Sequence, residues 1–329
     1  MASASQFPRL LGDVGGTNAR FGWQAAPGSA ISDIGVLPCA AHASIDAAID
    51  AYLQTRQLPR PQAACIGIAN PVTGDQVRMT NHHWAFSIRE LQQALGLQTL
   101  RVLNDFTALA LALPDLPSEA LRPIGPVRSG QADAPLALLG PGTGLGVSGL
   151  LPNGRQWLPI AGEGGHTTLA ARTGEEFAVL QRLQQRYGHV SAERVLSGKG
   201  LADLHAARLD VLGERSGQAT PDAAAITALA LETREPQCLQ SLEMFVTFLG
   251  RMAGDLALTL GARGGVFIGG GIMPRLLGWL ETSDMRAAFE DKGRFSAYLA
   301  EIPLWVIHTE HSPALWGAAR ALDQGLVER

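Results

Sequence analysis

Leu10-Leu-Gly-Asp-Val-Gly-Gly-Thr-Asn-Ala-Arg-Phe-Gly22 reads as an apolar strand, a tight turn, and a second strand running back through Phe21 and Trp23. Gly15 and Gly16 form the tip, followed by Thr17 and Asn18. Glycine permits φ > 0 and lets backbone approach a ligand, so this tip can aim several N–H groups at an anion. Asp13 stands at the mouth of the turn, where a carboxylate can hold a cation that bridges phosphates. Read alone, the segment equally suits an ordinary hairpin whose Asp and Gly residues serve only the turn.

A second stretch has the same shape. Leu138-Leu-Gly-Pro-Gly-Thr-Gly144 is again strand, glycine–threonine turn and strand, roughly half a chain away. A weak repeat of this kind predicts two related lobes, each contributing a phosphate-contacting turn. Gly144-x-Gly146-x-x-Gly149 formally matches a dinucleotide fingerprint, but that fingerprint needs a helix next. The chain runs instead into a hairpin signal at Asn153-Gly154, which excludes a Rossmann reading and an NAD-dependent enzyme with it.

The whole chain narrows the choice. Its 329 residues predict roughly two lobes. A net charge of −4 gives no electrostatic footprint for nucleic acid or an anionic membrane. No apolar run approaches the roughly 20 residues that span a bilayer, and Met1–Pro8 lacks the basic flank and apolar core of a signal peptide. Cys39, Cys65 and Cys238 are odd in number and far apart, as expected of a reduced, cytoplasmic protein without structural zinc. Only Lys199 and Lys292 among 26 basic residues are lysines, and neither sits in a Walker loop. For any nucleotide, backbone amides and a metal must therefore do most of the gripping.

Polar residues punctuate the remaining elements. Helices are predicted over 44–54, with a second from Ser87 to Leu95 capped by Ser87. A third, Phe106–Leu113, follows the strand Leu100–Leu103. Asp105 thus lies between a strand's carboxyl end and a helix N-terminus, which suits either a plain N-cap or a ligand site. Glu163 and His166 stand three apart in a glycine-rich loop, where Gly164 and Gly165 argue against a metal-binding helix. Glu193 falls in the first turn of a short helix, 191–200, expected to be stopped by its glycines. The strand ending in Gly269-Gly-Gly271 leaves bare backbone for a flat ring, or simply for tight strand–helix packing. Ser312-Pro313 is expected to cap a last helix.

Taken together and in order, these stretches resemble the zinc-free bacterial glucokinases. The resemblance runs nearly end to end, through Gly12–Asn18, Thr80-Asn81 with Trp84–Ser87, Leu103–Phe106, Gly140–Gly146, Gly162–His166, Ser191–Gly198 and Gly269–Gly271. It departs from the related repressor/kinase family, which carries a cysteine-rich zinc loop beside its sugar-binding Glu and His. The resemblance implies an α/β, two-lobed, actin-like (ribonuclease H-like) sugar-kinase fold with its active site in the interdomain cleft. A small domain would comprise 1–112 with 310–329, and a large one 113–309. It implies ATP and Mg²⁺ as cosubstrates, the 6-hydroxyl of glucose as acceptor in the first step of glycolysis, and a homodimer. By matching motif positions, Asp105 would be the catalytic base, with Asn104, Glu163, His166 and Glu193 on sugar hydroxyls. Asp13, Gly15, Gly16, Thr17, Asn18, Gly142, Thr143 and Gly144 would embrace the phosphates, Asp13 also holding the metal, and Gly269, Gly270 and Gly271 would lie by the adenosine. Another hexose, or a sugar-sensing regulator on the same fold, is the alternative.

Overall fold

A computed structural model describes residues 6–79, 82–214 and 219–326; the Thr80-Asn81 motif lies outside them. Contacts divide the chain into two compact units, Met1–Ser118 with Asn153–Ala161 and Thr309–Arg329, and Glu119–Pro152 with Gly162–His308.

The first unit begins with β1 (Arg9–Val14), β2 (Asn18–Gln24), β3 (Ser32–Pro38), α1 (Ile45–Thr55) and β4 (Ala63–Ile68). It continues with β5 (Gln76–Arg78), β6 (Ala85–Ser87), α2 (Ile88–Ala94), β7 (Thr99–Asn104) and α3 (Asp105–Ala112). Ser44 and Ser87 cap α1 and α2 by accepting from Ala47 and Glu90 N–H. Its sheet runs β3-β2-β1-β4-β7, with β4 parallel to both β1 and β7. β4, between two parallel neighbours, is buried throughout and reads as a continuous apolar run, as a strand covered on both faces must.

The second unit holds β8 (Leu121–Pro123), β9 (Leu136–Pro141) and β10 (Leu145–Asn153). The chain returns to the first unit as β11 (Gln156–Ala161), which packs on α3. Then follow α4 (Gly174–Tyr187), α5 (Ala192–Val195), α6 (Gly198–Leu212), α7 (Ala223–Glu232), α8 (Pro236–Leu260) and β12 (Gly265–Ile268). Short helices α9 (Leu277–Leu280), α10 (Met285–Glu290) and α11 (Ser296–Ala300) lead to β13 (Leu304–Ile307). The strands of this unit are ordered β10-β9-β12-β13-β8. Phe245, Phe248 and Leu249 of α8 are fully buried in the core beside them. The last helix, α12 (Ala314–Gln324), belongs to the first unit. Among the described residues, no helix is long and apolar enough to cross a membrane.

Two sequence expectations are corrected and one open alternative is resolved. The glycines at 198 and 200 open a helix rather than stop one, because the Ser197 side chain accepts from Gly200 N–H and starts α6. Ser312 does not cap α12, whose N-cap is Pro313 with no side-chain bond. Asp105 is not the cap of α3 either. Asn104 takes that place, its Oδ1 accepting from Phe106 and Thr107 N–H.

Two arginines pin long-range joins. Arg9, fully buried, donates to Asp323 at 2.7 Å and so ties β1 to α12. In the second unit, Arg251 of α8 donates at 2.6 Å to Glu176, the capping-box carboxylate of α4. Burial pushes the Glu176 pKa up, but Arg251 and the N–H groups of Arg172 and Thr173 outweigh it and hold it below the usual range. Arg251→Ala strands that carboxylate and is expected to cost about 3 kcal/mol. Chemical denaturation checks this; a loss under about 1 kcal/mol would show the pair to be dispensable.

Candidate active site

In the first unit, strand register sets the geometry. Asp13 on β1 pairs with Gly67 on β4, which pairs with Leu103 on β7, one residue before Asn104. Gly67 has no side chain, and α3 fills that space. A Cβ there would meet Ala108 Cβ at 3.1 Å and Asp105 Cα at 3.6 Å. Asp13 and Asp105 are thereby brought near enough to repel each other. Asp13 receives Arg20 Nη1 at 3.4 Å. Arg20 faces it across the hairpin and was not singled out from sequence, although strand pairing would have placed it there.

Asp105 Oδ1 accepts from Phe106 N–H at 2.9 Å and from Asn104 Nδ2 at 3.0 Å. Burial, and secondarily the Asp13 charge, outweigh these bonds and push the Asp105 carboxyl up to about 7. Its folded value therefore lies above the unfolded 3.8, so the folded state loses stability as pH rises between the two. Asp105→Asn is expected to stabilise the ligand-free protein by on the order of 3 kcal/mol above pH 7, with no gain below about pH 4. Thermal denaturation at both pH values checks it; equal melting at pH 8 would refute it.

The Gly15–Asn18 turn is closed by Gly15 N–H on Asn18 O at 3.0 Å and is supported by Cys39 N–H on Thr17 O at 2.8 Å. The expected φ > 0 is not used at Gly15. A Cβ there would meet only Asn18 O at 3.7 Å, an ordinary contact. What the glycine supplies is bare backbone.

In the second unit, four predicted stretches meet at the β9–β10 turn. Gly142 N–H donates to Gly144 O at 2.8 Å, and Gly198 N–H donates to Gly142 O at 2.8 Å. Leu145 N–H donates to Glu193 Oε2 at 2.9 Å. A Cβ on Gly165 would collide with Leu145 O, and one on Gly270 with Pro141 O. Gly270 also has φ +83°, which glycine alone takes easily. Gly142 and Gly271, by contrast, have open space beside them, and Thr143 is exposed. Gly269 N–H donates to Leu139 O at 2.8 Å. Glu163 precedes and His166 ends a single helical turn, Gly164–His166, with Nε2 and Oε2 3.9 Å apart and both side chains 59% exposed.

A pocket of about 260 Å³ lies between α7 and the segment Ile272–Arg275, which follows Gly271 in the chain. It is lined by Ala223, Ala224, Thr227, Ala228, Leu231, Glu232, Ile272 and Arg275. α7 falls within the stretch 173–234 that its composition predicts to be mostly helical. A wider hollow of about 760 Å³ along α4, around Phe177 and Gln181, carries no ionisable side chain. Among the described residues, no group of three or more His, Cys, Asp or Glu is arranged to hold a metal.

A sequence model described as Glucokinase matches residues 10–325. The chain is 52% identical to a glucokinase of Aromatoleum aromaticum, over 98% of this chain and 96% of that one. A crystal structure of glucokinase from an Antarctic psychrotroph superposes with TM-score 0.87 at 37% identity, covering 96% of this chain and 99% of that one. A ROK family glucokinase from Streptomyces griseus, solved with glucose and AMPPNP, shares the fold at TM-score 0.63 and 19% identity, over 97% and 100% of the two chains. The fold class is the α/β, actin-like sugar-kinase class expected from sequence, and the chain belongs to the glucokinase family.

Proposed function

We propose that this protein transfers the γ-phosphoryl group of ATP to the 6-hydroxyl of glucose, giving glucose 6-phosphate and ADP. Family membership supports the reading, as does the S. griseus relative's complex with glucose and an ATP analogue. The observation that carries it is Asp105. Asn104 relieves it of capping, and its carboxyl is raised to about 7, where a general base works best. Asp105 accepts the proton of the sugar hydroxyl as the phosphorus–oxygen bond forms, and releases it to solvent after ADP leaves. Asn104, Glu163, His166 and Glu193 hold the other hydroxyls. Such polar groups select strongly, because a sugar lacking a hydroxyl leaves them unpaired.

The turns Asp13–Asn18 and Gly142–Gly144 offer backbone N–H groups to the phosphates. Adenosine lies by Gly269–Gly271, its base against the alanine face of α7. Mg²⁺ fits this chemistry, since the field that Asp13 exerts on Asp105 is one that a divalent cation would offset. Asp13, phosphate oxygens and water would hold the ion, which supplies charge neutralisation on the phosphates. The same reading carries a cytoplasmic homodimer.

ADP production with Mg²⁺-ATP, measured against glucose, mannose, fructose, N-acetylglucosamine and no sugar, tests the reading. Turnover restricted to glucose is expected. Turnover with another hexose alone, or with none, would overturn it.

A further inference from the structure

Glu193 is assigned above to a sugar hydroxyl, yet one of its carboxylate oxygens is already engaged. Oε2 accepts from Leu145 N–H at 2.9 Å, and Leu145 directly follows the Gly142–Gly144 turn. The contact is close-fitted, because a Cβ on Gly144 would collide with this same oxygen. Two further bonds fix the segment that carries Glu193. Ala192 N–H donates to Thr167 O at 2.8 Å, in the loop of His166, and Gly198 N–H donates to Gly142 O at 2.8 Å. The segment from Ala192 to Gly198, α5 with the start of α6, is therefore anchored to the sugar-side loop at one end and to the phosphate-side turn at the other.

We infer that Glu193 is also a positioning residue for the phosphoryl donor. One oxygen pins the Leu145 amide and so sets the Gly142–Gly144 turn, while the other is left for a sugar hydroxyl. A charged acceptor on a backbone N–H makes one of the stronger hydrogen bonds available. Without it, a turn with glycine at two of its three positions samples many conformations, and the donor must order it on binding. Because one carboxylate serves both ligands, sugar binding also tightens donor binding. By linkage, the donor tightens sugar binding by the same factor.

The inference rests on the reading of Glu193 as a sugar contact, and binding experiments separate the two. AMPPNP affinity is measured by calorimetry without sugar, glucose affinity without nucleotide, and Leu145 amide protection by hydrogen exchange. Glu193→Ala is expected to weaken AMPPNP about tenfold, speed exchange at Leu145, weaken glucose, and abolish the coupling between them. Glu193→Gln keeps a neutral oxygen for Leu145, so AMPPNP affinity and Leu145 protection fall clearly less than in Glu193→Ala, while glucose weakens. Glu193→Asp, one methylene short of Leu145, serves if the alanine variant does not fold.

Unchanged AMPPNP affinity and Leu145 protection in Glu193→Ala would overturn the positioning role and leave the sugar contact standing. Unchanged glucose affinity with weakened AMPPNP would sustain the positioning role and remove the sugar contact. A Glu193→Gln variant as defective toward AMPPNP as Glu193→Ala would also overturn it, since the pinning bond is then not what matters.

Discussion

Asp105→Ala is expected to lower kcat by about 10²–10⁴-fold while glucose binding remains measurable. The magnitude is that of removing a positioned general base, and the structure gives reasons to expect the upper half of it. The carboxylate is brought by α3 to the end of β7 and held by Phe106 N–H and Asn104 Nδ2. Neither donor is itself a proton acceptor. The helix survives the substitution, because its cap is Asn104 rather than Asp105. In the intact enzyme the same group is expected to set the acid limb of kcat/KM. The carboxylate form is the active one, so the rate falls as pH drops through about 7 and levels above it. Steady-state kinetics across pH, with calorimetry for glucose, measure both. A variant with near-normal kcat, or a wild-type profile flat from pH 5 to 8, would remove Asp105 from the chemistry.

Gly317→Ala is expected to damage both stability and turnover from a position carrying no chemistry of its own. Gly317 sits mid-helix in α12, where glycine is intrinsically about 1 kcal/mol worse than alanine. The structure explains its presence. A Cβ would drive into Ala108 O of α3 and crowd Ala112 N at 3.2 Å. Backbone cannot yield as a side-chain tip can, so the two helices must separate. Overpacking of this kind costs about 1–3 kcal/mol, and a catalytic group displaced by 1 Å loses about 10²-fold in rate. α3 begins at Asp105, so its displacement reaches the base directly. Gly278→Ala is the control, since open space surrounds that position. Thermal denaturation and kcat of the two variants decide the matter. Gly317→Ala behaving like Gly278→Ala would show that the helix crossing does not position Asp105.

Much of the molecule is local and was legible in the chain. Strand–turn–strand segments at 10–22 and 138–149, the helix at 44–54 and the cap at Ser87 depend on residues within one or two turns of each other. The order of the glycine-rich turns carried the family. Open or mistaken readings fell where neighbours compete for the same local role. Asn104 and Asp105 can both accept the amides at the start of α3, and Ser197 can open a helix through glycines that would otherwise stop one.

By itself, then, the sequence determined the fold class, the family and the residue types available for the chemistry, because periodicity, turn composition and motif order are properties of the chain. Only tertiary structure decided which carboxylates interact. Asp13 and Asp105 are brought together by parallel register across a side-chain-free Gly67, and Glu193 reaches Leu145 across 48 residues. The physical reason is distance. Desolvation and charge–charge repulsion depend on separation in space, and nothing in residue spacing encodes that separation until the strands have paired and the helices have packed.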